Sequence, residues 1–160
     1  MEIKLSISSP TSKSFTVKGD TIEEVFNSLN KNGYWGRYRS NESQSSKFGD
    51  DRKTVVEIEL SASPTITLPN WSGYGKATKE EKKSWDVMYK ALDKHENNHH
   101  TIFEDAAKAW KKQMQKDGDV EKKVSDKAWA EFVKSVQKLQ DGYDTKTKNG
   151  EKEGVVLEQP

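Results

Sequence analysis

The chain has 160 residues, a length that suits one domain built around one hydrophobic core. Its 27 Lys and Arg nearly balance its 26 Asp and Glu, and the two signs are interspersed, which argues against the concentrated basic surface of a nucleic-acid-binding protein. It has no cysteine, which excludes disulfides and thiolate metal sites and leaves imidazole, carboxylate and water as metal ligands.

The N-terminal part of the chain predicts strands and one short helix. Apolar and polar residues alternate over 3–7, and the alternation returns at 15–17 after the turn-prone residues 8–11, so we expect a first β-hairpin. A capping box at 21–24 precedes an apolar helical face and predicts a short helix over 21–31.

The next segment predicts two further strands separated by a loop. Residues 34–38 are typical of the start of a strand, whereas 41–51, rich in Ser, Asn and Asp, predicts a mobile loop. Alternation over 56–60 predicts a strand. Residues 65–68 lie between two prolines and predict a short strand at a sheet edge, where proline is tolerated.

The remainder of the chain is predicted to be mainly helical. A second capping box at 78–81 opens a long helix that extends to about Gln115, and a last helical pattern covers 120–140. We expect one α+β domain over 1–160: a small N-terminal antiparallel sheet with a short helix in 1–77, helices in 78–142, and a loop or strap in 143–160 whose Val155–Leu157 form a short strand or strap.

The long helix carries the sequence His95-Glu96-Asn97-Asn98-His99, which has the H-E-x-x-H pattern of zinc hydrolases. Residues four apart share a helix face, so His95 and His99 can bind one zinc ion while Glu96 acts as general base on a water. The alternative is that both are core histidines satisfied by hydrogen bonds, or part of a solvated run with His100. A helical stripe that includes both histidines favours zinc; it comprises Trp85, Met88, Leu92, His95, His99, Ile102, Phe103, Ala106 and Trp110.

Four separated pieces of the sequence carry a family resemblance. They are Phe15–Thr21 with Leu29 and Gly33, Ile66–Trp71, the helix from Trp85 to His99, and Tyr143-Asp144. In order and spacing the chain resembles the family of predicted secreted bacterial zinc-dependent proteases that is also described as a domain of unknown function. The resemblance implies a zincin-like peptidase domain with His95 and His99 as zinc ligands and Glu96 as base.

The resemblance also implies a secreted or periplasmic protein. Met1–Pro10 lacks the basic start and apolar stretch of a secretory signal, and no apolar run approaches the ~20 residues that cross a bilayer. We therefore expect no membrane span, and either a leader that has been replaced or an export route that needs none.

The third zinc ligand is the open point of this prediction. In the family signature that matches Tyr143–Gly150, a histidine stands where this chain has Asn149. Either a carboxylate completes the site or metal affinity is weakened. We favour Asp144, expected in a loop after the last helix, although aspartate also commonly caps or turns loops. The carboxylates weighed against it are Glu104 and Asp105, which rotate off the histidine face, and Glu121 and Glu131 on the following helix.

The leading prediction is a zinc metallopeptidase that acts on a protein or peptide substrate. Tyr143 is predicted either to donate a hydrogen bond to the oxyanion or to pack in the core. A substrate strand is expected to add to a sheet edge such as 65–68.

Two alternatives remain open. One is a non-catalytic binding module that has lost a complete metal site and uses the aromatic side chains Tyr34, Trp35, Tyr38 and Trp71; Asn149 is its main support. The other is a toxin-like protease delivered into another cell, for which the sequence contains no motif.

Overall fold

The computed structural model describes residues 1–159, with mixed sheets and three helices. The elements are β1 (Glu2–Ile7), β2 (Thr11–Val17), α1 (Ile22–Lys31), β3 (Arg37–Arg39), β4 (Glu42–Phe48), β5 (Thr54–Ala62), β6 (Thr65–Trp71), α2 (Lys79–Asp117), β7 (Val120–Glu121) and α3 (Lys122–Thr147). The α+β class is therefore as predicted. Within the described part of the chain, no helix is long and apolar enough to cross a membrane.

The chain divides into two compact units. The first unit comprises residues 1–10, 40–64 and 100–142, and the second comprises 11–39, 65–99 and 143 onward. The helices α2 and α3 contribute residues to both units. The single domain expected over 1–160 stays a prediction.

The first unit contains a mixed sheet in the order β1-β5-β4, with β7 paired to the start of β5. β1 runs parallel to β5, and β4 runs antiparallel to it. The predicted mobile loop over 41–51 is wrong, because most of it forms β4. Its side chains are small and polar, so the apolar alternation that marks a strand is missing, but its backbone pairs with β5 and Gln44 donates a hydrogen bond of 3.0 Å to the buried Ser125 hydroxyl.

The second unit contains a second mixed sheet, in the order β2-β6-β3. β2 runs parallel to β6, and β3 runs antiparallel to it. The predicted hairpin of β1 with β2 is wrong, since the two strands pair with β5 and β6 in different sheets. The predicted antiparallel sheet is wrong for the same reason: each N-terminal strand pairs with a strand about fifty residues away and parallel to it.

The strand β6 is central rather than at an edge, which corrects the prediction for 65–68. β3 pairs only with Thr65 to Thr67, so Pro69 lies beyond that pairing and opposite Phe15 of β2. A proline therefore fits in this strand, because among the described residues it has a strand neighbour on one side only. The edge strands of this sheet are β2 and β3, on either side of β6.

Both predicted helix starts are confirmed by their capping boxes. In α1 the Glu24 N–H donates to Thr21 Oγ1 at 3.3 Å, and the Thr21 N–H donates to Glu24. At the start of α2 the Glu81 N–H donates to Thr78 Oγ1 at 3.2 Å, and the Thr78 N–H donates to Glu81 at 2.9 Å. These reciprocal bonds satisfy N–H groups that a helix start leaves without partners.

The second unit has one apolar core, formed by β2, α1, β6, the first half of α2 and the C-terminal segment. Its buried members are Val17, Ile22, Val25, Leu29, Ile66, Leu68, Trp71, Trp85, Met88, Leu92, Val155 and Leu157. Val155 and Leu157 come from a segment that is not a strand, so the strap alternative predicted for Val155–Leu157 is the one observed.

The helix α3 extends to Thr147, which corrects the end predicted near Gln140. Tyr143 and Asp144 consequently lie on a helix and not in the predicted C-terminal loop. After the helix, Lys148 and Asn149 adopt the left-handed conformation with φ of 52° each, and Gly150 follows at 85°. A short 3-10 turn, Glu151–Glu153, then leads into the buried strap.

Candidate functional site

Two histidines and a glutamate of α2 are buried together at the edge of the core. His95, Glu96 and His99 expose 3%, 4% and 6% of their surface. The spacing of one helical turn brings His95 Nε2 to 3.3 Å from His99 Nε2. The side-by-side arrangement expected from the motif is therefore present.

Asp144 of α3 completes a group of three side chains in the second unit. Its Oδ1 lies 3.1 Å from His95 Nε2 and 2.9 Å from His99 Nε2. Among the described residues, His95, His99 and Asp144 form the group of His, Asp and Glu side chains whose ligand atoms lie close enough together to hold one metal ion.

The distances within this group fit a metal ion. Ligand atoms bound to tetrahedral zinc at roughly 2.0–2.1 Å lie roughly 3.3–3.4 Å apart. The three observed separations of 3.3, 3.1 and 2.9 Å form a triangle of nearly that size. Two imidazoles and one carboxylate are also a donor set that zinc uses in hydrolases.

A second carboxylate lies on the opposite side of the His95 ring. Glu153 Oε2 lies 2.7 Å from His95 Nδ1, and a neutral His95 that donates to it from Nδ1 keeps a lone pair on Nε2. That lone pair faces Asp144 Oδ1, which also carries lone pairs. The repulsion between these two acceptor atoms, which lie 3.1 Å apart, is relieved either by a cation between them or by a second proton on the imidazole.

Glu96 is buried, and its carboxyl group interacts electrostatically with His95 and Asp144. Burial raises its pKa to about 7; the charge of His95 lowers the pKa, Asp144 raises it, and a hydrogen bond from the Tyr38 backbone N–H lowers it. The absence of a side chain at Gly36 makes room for the carboxylate, because a Cβ there would lie 2.6 Å from Glu96 Oε1. A carboxyl group in this setting is suited to exchanging a proton near neutral pH.

Tyr143 forms one wall of the site. Its ring stacks on His95 with centroids 4.9 Å apart and meets the edge of His99 at the same distance. Its hydroxyl donates to Glu153 at 2.8 Å and accepts a bond of 2.8 Å from the Asn98 amide. Desolvation raises the pKa of Tyr143 to about 12; the bond from Asn98 lowers it, and Glu153 raises it. The hydroxyl thus lies with Glu153, on the Nδ1 side of His95, and its predicted role toward an oxyanion stays a prediction.

Besides Gly36, sequence reasoning missed two residues at this site. Asn98 is one of the two variable positions inside the H-E-x-x-H motif, and its amide bonds to Tyr143. Glu153 lies three residues beyond the matched signature Tyr143–Gly150, where no spacing rule points to it. Desolvation raises the pKa of Glu153, but hydrogen bonds from His95 and Tyr143 outweigh this and lower the pKa overall.

The other carboxylates considered as ligands belong to the first unit. Among them, Glu104 lies 3.6 Å from His100, and Asp105 and Glu131 lie within 4 Å of lysines one turn away on their own helices. Glu121 is exposed on the two-residue strand β7. These four carboxylates are outside the group identified above.

Asn149, which stands where the resembled family has a histidine, is exposed. Its backbone N–H donates to the carbonyl oxygen of Asp144 at 2.8 Å, which helps to end the helix that carries Asp144.

The aromatic residues considered as a binding surface pack inward to differing degrees. Trp71 is 4% exposed and bonds to the Gly19 carbonyl, while Trp35 packs against Phe26.

A family model described as "Bacterial protein of unknown function (DUF922)" matches residues 12–151. No curated protein matches the chain, and no solved structure matches it.

Proposed function

We propose that this chain, which belongs to the DUF922 family of bacterial proteins of unknown function, is a zinc-dependent metallopeptidase with a zincin-like fold. One observation carries the proposal. The ligand atoms of His95, His99 and Asp144 converge within 3.3 Å of one another beside the buried carboxylate of Glu96.

The three converging side chains are the proposed zinc ligands. Bound zinc would polarise a peptide carbonyl and lower the pKa of water to about 7. Glu153, bonded to His95 Nδ1, would leave Nε2 of that ring without a proton and available to the zinc.

Zinc is favoured over iron by the residue next to the ligands. Sets of two histidines and one carboxylate also hold iron(II) in oxygenases, so the ligands alone leave both metals open. Glu96, adjacent in sequence to His95, supplies a proton acceptor that hydrolysis needs. The motif and this carboxylate together support hydrolysis.

In the proposed reaction Glu96 takes a proton from the attacking water and passes it to the leaving amine. Burial, which raises the pKa of this carboxyl to about 7, suits it to both transfers. The Tyr38 backbone N–H and the space left by Gly36 hold the carboxylate in place.

A peptide substrate is proposed to add to the edge of β3. This replaces the edge first expected at 65–68, since β6 is flanked by β2 and β3. The backbone of Tyr38 in β3 hydrogen-bonds to Glu96, and the Tyr38 ring lies parallel to the ring of His99 with centroids 6.3 Å apart. A strand beside β3 would therefore lie next to the proposed base, with the Tyr38 N–H kept by Glu96 and not given to the substrate.

The test compares Glu96→Gln with the parent protein loaded with one equivalent of zinc. Cleavage of casein or of a peptide library is expected to be abolished in Glu96→Gln while zinc content stays the same, because the amide cannot accept the proton. Glu104→Gln, on the same helix and outside the ligand group, is the matched control and is expected to cleave like the parent.

Equal turnover in Glu96→Gln and parent would contradict the general-base role. A parent protein that binds no zinc and cleaves nothing would instead favour the binding-module alternative, which lacks a complete metal site. Bound iron together with absence of peptide cleavage would favour an oxygenase-type site.

The proposed site of action is outside the cytoplasm. Its support is the resemblance to secreted bacterial proteases described above. Fractionation of the source bacterium, with the protein detected by antibody, is expected to find it in the periplasm or the medium; a purely cytoplasmic signal would contradict this.

A further inference from the structure

We infer that Glu153 is a positioning residue that fixes the tautomer and orientation of His95, and that Tyr143 and Asn98 act through it. The inference rests on the proposed zinc site. It assigns a structural task to a carboxylate that belongs to neither the ligand group nor the H-E-x-x-H motif.

The contacts form one continuous chain of hydrogen bonds. The Asn98 amide donates to the Tyr143 hydroxyl at 2.8 Å, and that hydroxyl donates to Glu153 at 2.8 Å from Oε1 and 2.9 Å from Oε2. Glu153 Oε2 accepts from His95 Nδ1 at 2.7 Å. An ionised carboxylate can only accept, so a hydrogen bond between His95 and Glu153 requires the imidazole proton on Nδ1.

The direction of these bonds matters for metal binding. A neutral imidazole can present a lone pair from Nε2 only when its proton is on Nδ1. Without a partner at Nδ1, the ring is free to place its proton on Nε2 and donate it to Asp144, which would block the position where the ion binds. Glu153 therefore favours the form of His95 that binds metal.

The backbone around Glu153 is held by contacts on both sides. Gly150 packs against the His95 ring, since a Cβ at this position would lie 3.2 Å from its Cγ and 2.6 Å from a methyl carbon of Val155. Gly150 and Gly154, which flank the turn Glu151–Glu153, are both left-handed. Beyond the turn, Val155 and Leu157 are buried in the core. The strap thus fixes the carboxylate of Glu153 relative to His95 although its side chain is 31% exposed.

The same contacts determine which group the Tyr143 hydroxyl can donate to. A hydroxyl that donates its only proton to Glu153 has none to offer an oxyanion in this arrangement. The Tyr143 hydroxyl therefore strengthens zinc binding indirectly, by holding Glu153. Its ring serves as a wall against His95 and His99.

The experiment measures zinc affinity by competition with a chelator. Glu153→Ala is expected to weaken affinity roughly tenfold to hundredfold, as is typical when the partner of a ligating histidine is removed. Glu153→Gln, whose side-chain carbonyl can still accept from Nδ1, is expected to recover most of the loss. Glu151→Ala, in the same turn, is the matched control and is expected to bind zinc like the parent.

A double-mutant cycle tests the role of Tyr143. Tyr143→Phe is expected to weaken zinc binding in the parent and to have no further effect in Glu153→Ala, because the hydroxyl acts through that carboxylate. Independent, additive effects on affinity would overturn this part of the inference. So would a loss of turnover in Tyr143→Phe with zinc affinity unchanged, which is the result expected of an oxyanion donor.

Nitrogen NMR of the histidine rings gives a direct spectroscopic readout. In zinc-free parent protein, at a pH where the His95 ring carries one proton, that proton is expected on Nδ1; Glu153→Ala is expected to show a mixture of tautomers, with unchanged circular dichroism confirming the fold. The same tautomer and the same zinc affinity in both proteins would overturn the inference. A parent protein that binds no zinc at all would instead contradict the proposed function.

Discussion

Gly36 provides the sharpest test of how the proposed base is held. A Cβ placed on this glycine would lie 2.6 Å from Glu96 Oε1, 2.7 Å from Leu92 Cδ1 and 3.0 Å from Glu96 Cγ. Ordinary contact begins near 3.4 Å, so in Gly36→Ala the carboxylate must retreat by about 0.8 Å, or β3 must move away from α2. Either movement disturbs the bond from the Tyr38 N–H to Glu96.

The expected result is a large loss of activity with metal binding retained. A misplacement of about 1 Å at a reacting group costs about 100-fold in rate, which is about 2.7 kcal/mol of activation free energy. Overpacking also lowers the free energy of unfolding by about 1–3 kcal/mol. Zinc content is expected to stay at the parent value, because Glu96 does not belong to the group formed by His95, His99 and Asp144.

The assay compares peptide cleavage, zinc content and thermal unfolding in Gly36→Ala and in Gly75→Ala. Gly75 is the matched control, since a Cβ there has no heavy atom within 4 Å and its backbone is not left-handed. Cleavage by Gly36→Ala at the parent rate, with the protein folded and loaded with zinc, would refute the reasoning about Glu96.

Two further predictions concern the third ligand and the pH dependence of stability. Asp144→Ala is expected to weaken zinc binding at least tenfold in chelator competition, whereas Asp141→Ala on the same helix leaves it unchanged; equal affinities would exclude Asp144 as ligand. In the sheet of the first unit, hydrogen bonds from Lys4 and Lys47 lower the pKa of Glu57 from 4.5 to about 2. The stability due to this carboxylate is therefore present above its unfolded-state pKa of about 4.5 and lost as the pH falls toward 2. At about pH 6 in low salt we expect the parent to melt at a slightly higher temperature than Glu57→Gln, and at about pH 2 we expect no difference. A difference in melting temperature that stays constant with pH would contradict this.

Features set by neighbouring residues could be predicted from the sequence. The two capping boxes depend only on residues three apart, and both helices begin where they indicate. The pairing of His95 with His99 is likewise a property of one helical turn. Local geometry determines these features, so the sequence pattern is sufficient.

Features set by distant parts of the chain could not be predicted in the same way. Alternation marks β1 and β2 as strands but contains no information on their partners, which lie in β5 and β6. The polar strand β4 has no apolar alternation and is defined by its pairing with β5.

The position of Asp144 shows the same limit. The helical pattern predicts an end near Gln140, yet α3 continues through Gly142 to Thr147. The ring of Tyr143 stacks on His95 and meets the edge of His99, contacts that offset the roughly 1 kcal/mol cost of a helical glycine. Glu153 reaches His95 only because the strap folds back into the core, which no local pattern indicates.

The central claim is that His95, His99 and Asp144 hold one zinc ion, and zinc affinity in His99→Ala compared with His100→Ala tests it most directly. The two histidines are adjacent on α2, but only His99 belongs to the ligand group. We expect about one zinc per parent chain, a loss of affinity of roughly 100-fold or more in His99→Ala, and parent-like binding in His100→Ala. A parent without zinc, or equal affinity in both variants, would contradict the claim.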